Sequence, residues 1–381
     1  MTDTPTDILV IDPDPLNQHV LAQLLSEQGY AVKFSHDGQS GLDMAVELQP
    51  GLVICSWNLP GTVDALRVCR ALKSSPSLAS TFLLLLTPRQ GVVRQIECLE
   101  MGADDLISIP IDDSELRTRV RAGLRLNSMA RDLQQQKQRL EAELWEAESY
   151  VRSLLPVDRT GRVPIQARFY PSQQLGGDCY DYYWLDPDYL AVYLLDVSGH
   201  GLGSALLSTS VLNVLRSQSL PDVNFYRPEK VLKALNETFQ MSAQNEKYFT
   251  IWYGVLNCAN RQLLYASAGH PPAIVISRNG SNKPTVQRLR TSGMPIGMLP
   301  EATYRWQRCE LPPDSTLYLF SDGLYEVLQD NQQCFGLEAF IDLLAEFRGQ
   351  KSVDDILATM AHKRFEAAAT DDMSLVAVTL D

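Results

Sequence analysis

Short apolar runs alternating with helical patterns govern what residues 8–125 can fold into. Ile8-Leu9-Val10-Ile11 precedes a helix bearing Leu16, Val20, Leu21, Leu24 and Leu25, and Ala31-Val32-Lys33-Phe34 precedes a helix near 39–48. Leu52-Val53-Ile54-Cys55, a helix near 64–73, Phe82 to Leu86, a helix near 91–101, Leu106-Ile107 and a helix from Ser114 follow. Repeated βα units of this length predict an α/β, doubly wound parallel sheet with helices on both faces. Ligands of such a sheet bind beyond the carboxyl ends of its strands. Those ends carry Asp12-Pro13-Asp14, Ser56, Thr87 and Ile109-Pro110.

The rhythm then changes. Over residues 126–155, Leu140, Leu144, Ala147, Val151 and Leu154 step by 4, 3, 4 and 3 residues, a coiled-coil spacing, and Leu126, Met129 and Leu133 fit a frame that shifts at Leu140. This helical linker is either the seam of a homodimer or one amphipathic helix lying on its own domain; Pro156 ends it. Residues 156–381 are rich in strands, at 189–197, 250–256, 263–268, 273–277, 317–320 and 373–380, with helices near 202–216, 229–241, 337–347 and 353–366. Short Gly, Pro and Asn turns between strands predict antiparallel pairing, and hence an α+β arrangement of two stacked sheets flanked by helices. The chain thus divides into 1–125, 126–155 and 156–381.

Composition narrows the function. Lys and Arg total 33 against 46 Asp and Glu, a formal charge of −13. Neutralising nucleic-acid phosphates needs excess cations, so a nucleic-acid partner is not expected, and no basic helix-turn-helix pattern is present. The longest apolar stretch is far below the roughly 18 residues that span a bilayer. The seven cysteines are scattered without a CxxC pair, as expected of reduced thiols. A cytoplasmic protein with no membrane contact is the expectation.

Four aspartates in the strand-rich part share one context, at a strand end or beside Gly: Asp178 in Gly176-Gly177-Asp178, Asp196 in Asp196-Val197-Ser198-Gly199-His200-Gly201, Asp322 in Ser321-Asp322-Gly323, and Asp371 in Asp371-Asp372-Met373-Ser374. Any one alone reads as a turn carboxylate. Together they suit Mg²⁺ or Mn²⁺, which prefer carboxylate oxygen, and two such ions side by side clamp a phosphoryl group and acidify a water. His200 and His270 sit in Gly/Pro turns with no positioning partner in the sequence, a structural setting rather than one for proton transfer. Cys179 adjoins a ligand, but its sulfur suits wall packing better than a hard ion. Asp181 and Asp372 either support the ligands by hydrogen bonding or are solvated.

With Tyr265-Ala266-Ser267-Ala268-Gly269-His270-Pro271-Pro272 and Gly293-Met294-Pro295-Ile296-Gly297 added, these motifs resemble the PPM (PP2C-like) phosphatases of the SpoIIE/RsbU type across 160–381. The resemblance implies a PP2C-like β-sandwich in which Asp178, Asp196, Asp322 and Asp371 hold two Mn²⁺ or Mg²⁺ ions. It also implies that Asp196 bridges them, that the Val197 carbonyl contributes, and that water is the nucleophile without a covalent enzyme intermediate. Asp196 and Asp178 are then catalytic through that water. Substrates of the family are phosphoserine or phosphothreonine on anti-anti-sigma (STAS) proteins in partner-switching circuits. The other class of function for such a fold is a pseudophosphatase adaptor that sequesters or delivers a regulatory protein; retention of all four aspartates favours the enzyme.

Residues 8–125 are similar to response-regulator receiver domains, with departures. Ser56 stands where the family places its phosphoacceptor aspartate, Ile109 where it places lysine before proline, and Pro13 replaces one member of the acidic pair, while Asp12, Asp14 and Thr87 are kept. A serine hydroxyl offers Mg²⁺ no charge and has no base to activate it, and Ile109 removes the cation that pairs with a new phosphate. A receiver that no phosphorelay switches, serving as a docking surface for a regulatory protein or a second copy, is the expectation.

Overall fold

The computed structural model describes residues 7–88, 99–100, 102–172, 175–241, 246–277, 284–327, 334–347, 352–363 and 371–380. It divides into two compact units, Met1–Glu141 and Ala142–Asp381.

The first unit holds five strands, β1 (Ile8–Ile11), β2 (Val32–Ser35), β3 (Leu52–Ser56), β4 (Phe82–Pro88) and β5 (Asp105–Ile109). They form one parallel sheet in the order β2-β1-β3-β4-β5. Strands β1 and β3 are buried along their whole length, as sheets covered on both faces require. Leu9, Val53, Leu83 and Leu85 pack on one face and Ile8, Ile54, Leu84 and Ile107 on the other. The carboxylates of Asp14, Asp37 and Asp64 cap helices Pro15–Ser26, Gly38–Leu48 and Ala65–Ser74 by accepting from the amides of Leu16, Ser40 and Arg67, which satisfies donors that the first turn leaves open. The helix expected near 91–101 lies almost wholly outside the described residues.

One helix runs unbroken from Asp113 to Leu154, so the last helix of the first unit and the expected linker are a single element, and the division between units falls inside it. Leu116 and Val120 bury in the first unit, and Asn127 and Arg131 donate to the carbonyls of Ser80 and Gln49. Leu126, Met129, Leu133 and Leu140 are exposed, whereas Leu154 packs into the second unit.

The second unit is a sandwich of two five-stranded sheets. One joins β7 (Cys179–Trp184), β8 (Tyr189–Val197), β9 (Phe249–Asn257), β10 (Gln262–Ala268) and β13 (Trp306–Glu310); the other joins β6 (Ile165–Tyr170), β11 (Ala273–Ser277), β12 (Thr285–Leu289), β14 (Ser315–Phe320) and β15 (Met373–Leu380). Their orders are β13-β10-β9-β8-β7 and β12-β11-β14-β15-β6, with every pairing antiparallel. Val192, Leu194, Trp252, Leu263, Val275, Leu317 and Val376 fill the space between the sheets. Helices Leu202–Arg216 and Pro228–Thr238 cover one outer face, and Leu337–Phe347 and Val353–Lys363 the other.

Four strands go beyond the sequence reading. In β12 and β13 nearly every side chain is exposed or half-buried; these are sheet edges, where no apolar run is required. β6 alternates buried with exposed positions. β7 is held by tyrosines, with Asp181 buried among them.

Asp181 is not solvated: Arg216 Nε donates to its Oδ2 at 2.7 Å, and Arg216 Nη2 donates to the Leu154 carbonyl at 2.9 Å. One guanidinium therefore ties β7, helix Leu202–Arg216 and the end of the long helix together. Arg216→Met should leave a buried carboxylate unpaired and destabilise the second unit by about 2–3 kcal/mol in urea unfolding. Adding Asp181→Asn should restore more than half of that, and a single variant within about 0.5 kcal/mol of wild type would show the pair to be inconsequential.

Candidate metal centre

Strand pairing brings the acidic motifs to one end of the sandwich. β8 ends at Val197, where β9 begins; β7 begins beside it, with Cys179 opposite Leu195. In the facing sheet, β14 ends at Phe320 opposite Leu375 near the start of β15. Asp178, Asp196, Asp322 and Asp371 each lie within two residues of one of these ends, so residues almost 200 positions apart share one rim.

Their electrostatics show how closely they converge. Burial pushes the Asp178 carboxyl well above its ordinary range, Asp196 and Asp372 push it further, and the Ser321 and Ser374 hydroxyls oppose. Asp196 is pushed up to about 7 by burial and by Asp322, Asp371 and Asp372, while a hydrogen bond from Asp178 works the other way. Ionised Asp196 thus raises the cost of ionising Asp178. Asp322 is pushed up to about 6, by burial first and then by Asp371 and Glu326. Asp178 Oδ2 is buried with no hydrogen-bond partner among the described residues. Among the described residues no basic side chain forms an ion pair with Asp178, Asp196 or Asp322.

Among the described residues no three His, Cys, Asp or Glu side chains stand close enough to hold an ion as they are. Like charges keep carboxylates apart until a counter-charge arrives; here Asp371 Oδ1 accepts from the amide of Asp372 at 2.8 Å. The donor set itself suits a hard divalent cation: several carboxylates and, on Asp178, a buried oxygen without a hydrogen-bond partner among the described residues.

The backbone is built to bring these groups close. A Cβ on Gly177 would stand 2.7 Å from the Val197 carbonyl oxygen, and one on Gly323 would collide with the carbonyl oxygen of Asp372. Only glycine lets the Asp178 loop reach Val197, whose carbonyl then lies against that loop. Asp372 is buried and supportive. Its Oδ1 accepts from the Ser172 amide at 2.7 Å and its Oδ2 from the Gly177 amide at 2.6 Å, which fixes the loop before Asp178. Ser321 Oγ donates to the Asp372 carbonyl and accepts from the Ser374 amide.

Sequence reasoning does not single out Ser321, Ser374, Ser204 or Lys247. Lys247 Nζ donates to the Ser198 carbonyl at 3.1 Å and to Ser204 Oγ at 2.8 Å, holding the loop after Asp196. Proximity to a motif is the available signal for the serines; Lys247 carries none. His270 is buried, with Nδ1 2.8 Å from Thr250 Oγ1, and burial holds it down to about 3 while the Phe320 carbonyl opposes. His200 is exposed and Cys179 buried.

In the first unit, Asp12, Ser56, Thr87 and Ile109 lie at the ends of four neighbouring strands. Asp12 is buried, and burial pushes its carboxyl up against hydrogen bonds from the Asp14 amide and Asn17. Thr87 Oγ1 has no hydrogen-bond partner among the described residues. Asp14 is turned to capping its helix, and Ile109 packs into the apolar face with Ile107.

A family model for stage II sporulation protein E (SpoIIE) matches residues 186–381, just over half of the chain. The chain belongs to the SpoIIE family. A model for the response regulator receiver domain matches residues 8–121, so a receiver domain precedes the SpoIIE domain. The SpoIIE match takes in Asp196, Val197, Asp322 and Asp371 and opens after Asp178, although β7 belongs to the same sheet. Phosphoserine phosphatase RsbP of Bacillus subtilis (strain 168) is 28% identical over 224 residues, 57% of this chain and 52% of that protein. Phosphoserine phosphatase RsbU of the same organism is 27% identical over 197 residues, 51% of this chain and 57% of that protein. The chain thus spans about half the length of the curated relatives it matches. The solved SiaA-PP2C domain of Pseudomonas aeruginosa shares the fold, with a TM-score of 0.56 at 22% identity over 64% of this chain and 98% of that domain. Among the described residues no helix is long and apolar enough to cross a membrane.

Raised carboxyl pKa values fix the sign of a pH effect on the SpoIIE domain. Such groups favour the folded state below the unfolded carboxyl range, and that contribution is lost as pH rises through about 6 for Asp322 and about 7 for Asp196. EDTA-treated protein should therefore lose thermal stability between about pH 5 and about pH 8. Mn²⁺ should raise the melting temperature more at the upper end, because protons compete with the ion. Asp196→Asn should flatten the slope; an equal slope in wild type and variant would contradict the assignment.

Proposed function

We propose that the protein is a metal-dependent protein serine/threonine phosphatase that acts in the cytoplasm on a phosphorylated anti-anti-sigma (STAS) type protein in a partner-switching pathway. The observation that carries the proposal is the acidic rim, where strand pairing gathers Asp178, Asp196, Asp322 and Asp371 at one end of the sandwich and glycine at 177 lets the Asp178 loop approach the Val197 carbonyl. Membership of the SpoIIE family and the phosphoserine phosphatases RsbP and RsbU among its relatives support the same reading.

In this reading Asp178, Asp196, Asp322 and Asp371, with the Val197 carbonyl, would hold two Mn²⁺ or Mg²⁺ ions. Bound there, the ions neutralise phosphoryl charge and lower the pKa of a water toward neutrality. The chain's own residues do the positioning. Asp372 anchors the Asp178 loop through two backbone amides, and Lys247 and Ser204 hold the Ser198 turn after Asp196. His270 stays neutral and takes no proton from the reaction at neutral pH. Preorganised charge, aimed where negative charge moves during phosphoryl transfer, is the main source of rate.

The domain boundaries 1–125, 126–155 and 156–381 belong to the same proposal. The linker carries an exposed apolar stripe, Leu126, Met129, Leu133 and Leu140, that supports a homodimer. The receiver, with Ser56 and Ile109 in its acidic pocket, serves as a fixed docking surface for a regulatory protein.

With Mn²⁺ added, wild type should hydrolyse a phosphorylated STAS peptide or a chromogenic phosphate ester. Asp196→Ala or EDTA should lower turnover by at least about 10³-fold. Equal, metal-independent background in both would favour the adaptor. For the receiver, acetyl phosphate or beryllofluoride with Mg²⁺ should produce no mass or NMR change at its pocket; a clear change at Ser56 would refute the fixed-surface reading.

A further inference from the structure

The rim that carries the aspartates continues, along the same sheet, into a cleft of about 740 Å³. Register places it there. Asp196 lies opposite Thr250, and Thr250 Oγ1 is 2.8 Å from Nδ1 of His270, which forms part of the cleft wall. β10 ends just before it at Ala268, β12 ends just before it at Leu289, and β13 leaves it at Trp306. Cross-strand spacing puts its wall on the order of 10–15 Å from Asp196, or roughly three to five residues of extended peptide.

Two arginines distinguish this cleft from the rest of the rim. Arg290 and Arg305 both line it, both are exposed, and neither forms an ion pair or hydrogen bond among the described residues. Glu301 is the one acidic side chain among the described lining residues, so the cleft is net cationic in a chain of formal charge −13. Elsewhere in the SpoIIE domain the exposed arginines Arg162, Arg227 and Arg288 are paired, with Asp188, Glu229 and Glu338, Arg159 stacks on Trp184, and Arg308, without an ion pair among the described residues, stands alone on the edge strand β13.

The walls are held in place. Thr291 Oγ1 accepts from the Ser267 amide at 2.7 Å, a Cβ on Gly293 would collide with the Ser267 carbonyl, and one on Gly269 would meet Pro295 at 2.7 Å. A loop packed this closely needs little backbone ordering at the moment of binding, so the cost that remains is that of fixing the arginine side chains.

We propose that this cleft is a substrate subsite that binds an acidic segment a few residues from the phosphorylated side chain, with Arg290 and Arg305 taking its carboxylates. Guanidinium forks suit carboxylates in two-point contact. The acidic centre itself repels such a segment, so a neighbouring cationic cleft lets an acidic phosphoprotein approach in one orientation and not the reverse. The inference rests on the phosphatase reading and names the substrate class that reading leaves open.

Two phosphoserine peptides of equal length test it, one with aspartates three to five residues from the phosphoserine (roughly the reach estimated above) and one with glutamines there. With Mn²⁺, the full chain should turn over the acidic peptide with a roughly five- to tenfold higher kcat/KM, carried by KM, and high salt should erase the difference. Arg290→Ala/Arg305→Ala should bring the ratio close to one while leaving p-nitrophenyl phosphate hydrolysis unchanged. Equal use of both peptides by wild type, or a preference that survives in the double variant, would overturn the proposal. If wild type turns over none of the three compounds, the phosphatase reading falls. Fluorescence anisotropy of the same two peptides then still decides the subsite: tighter binding of the acidic one by wild type alone sustains it, and equal binding ends it.

Discussion

Crowding negative charge is unfavourable, and the SpoIIE domain nonetheless gathers buried Asp178 and Asp372, half-buried Asp196 and Asp322, and exposed Asp371 at one end of its sandwich. Packing energy has to hold that rim together against its own repulsion. The sandwich supplies it from Trp252, Leu194, Leu317 and their neighbours between the sheets, and from two helical layers outside. Hydrogen bonds then settle the residual geometry. Asp372 commits its carboxylate to backbone amides, not to a cation, and so tightens the rim while adding to its charge. Protonation of the raised carboxyls relieves part of the repulsion, and a divalent ion would relieve more.

The two halves of the chain treat the same problem differently. In the receiver, the strand ends carry one buried carboxylate, Asp12, flanked by a hydroxyl at Ser56 and an aliphatic group at Ile109, with Asp14 diverted to helix capping. Charge density there is low, so the pocket needs neither an ion nor a lysine to be stable. In the SpoIIE domain charge density is high, and hydrogen bonds from Ser172, Gly177 and Lys247 brace the loops that carry it.

Legibility in the sequence follows burial. Strands with continuous apolar runs, such as β1, β3, β8 and β14, are readable because both faces are covered. β12 and β13 are not, because an edge strand is specified by its neighbour's open hydrogen bonds and its own side chains carry no pattern. The long helix illustrates a different limit. Its periodicity shifts near Leu140, but backbone hydrogen bonding is indifferent to which face is apolar, and the helix runs on to Leu154. In the site, the four aspartates are visible through their Gly-rich context. Asp372 stays between two roles in the sequence because its partners, the amides of Ser172 and Gly177, lie some 200 residues away along the chain, and no local spacing encodes a contact of that range. Arg216 escapes notice for the same reason: its partners Asp181 and Leu154 lie on two other elements.

The glycines behind Asp178 and beside Asp322 bear on how such a domain drifts over evolutionary time. A methyl group is the smallest side chain available, and at Gly177 and Gly323 it already overlaps a carbonyl oxygen that belongs to a distant segment. An aspartate that changes to asparagine keeps its shape and forfeits only charge, so the scaffold survives the loss. An alanine at either glycine instead forces two stretches of the chain apart. The positions least tolerant of genetic drift here are therefore ones that bear no functional group at all.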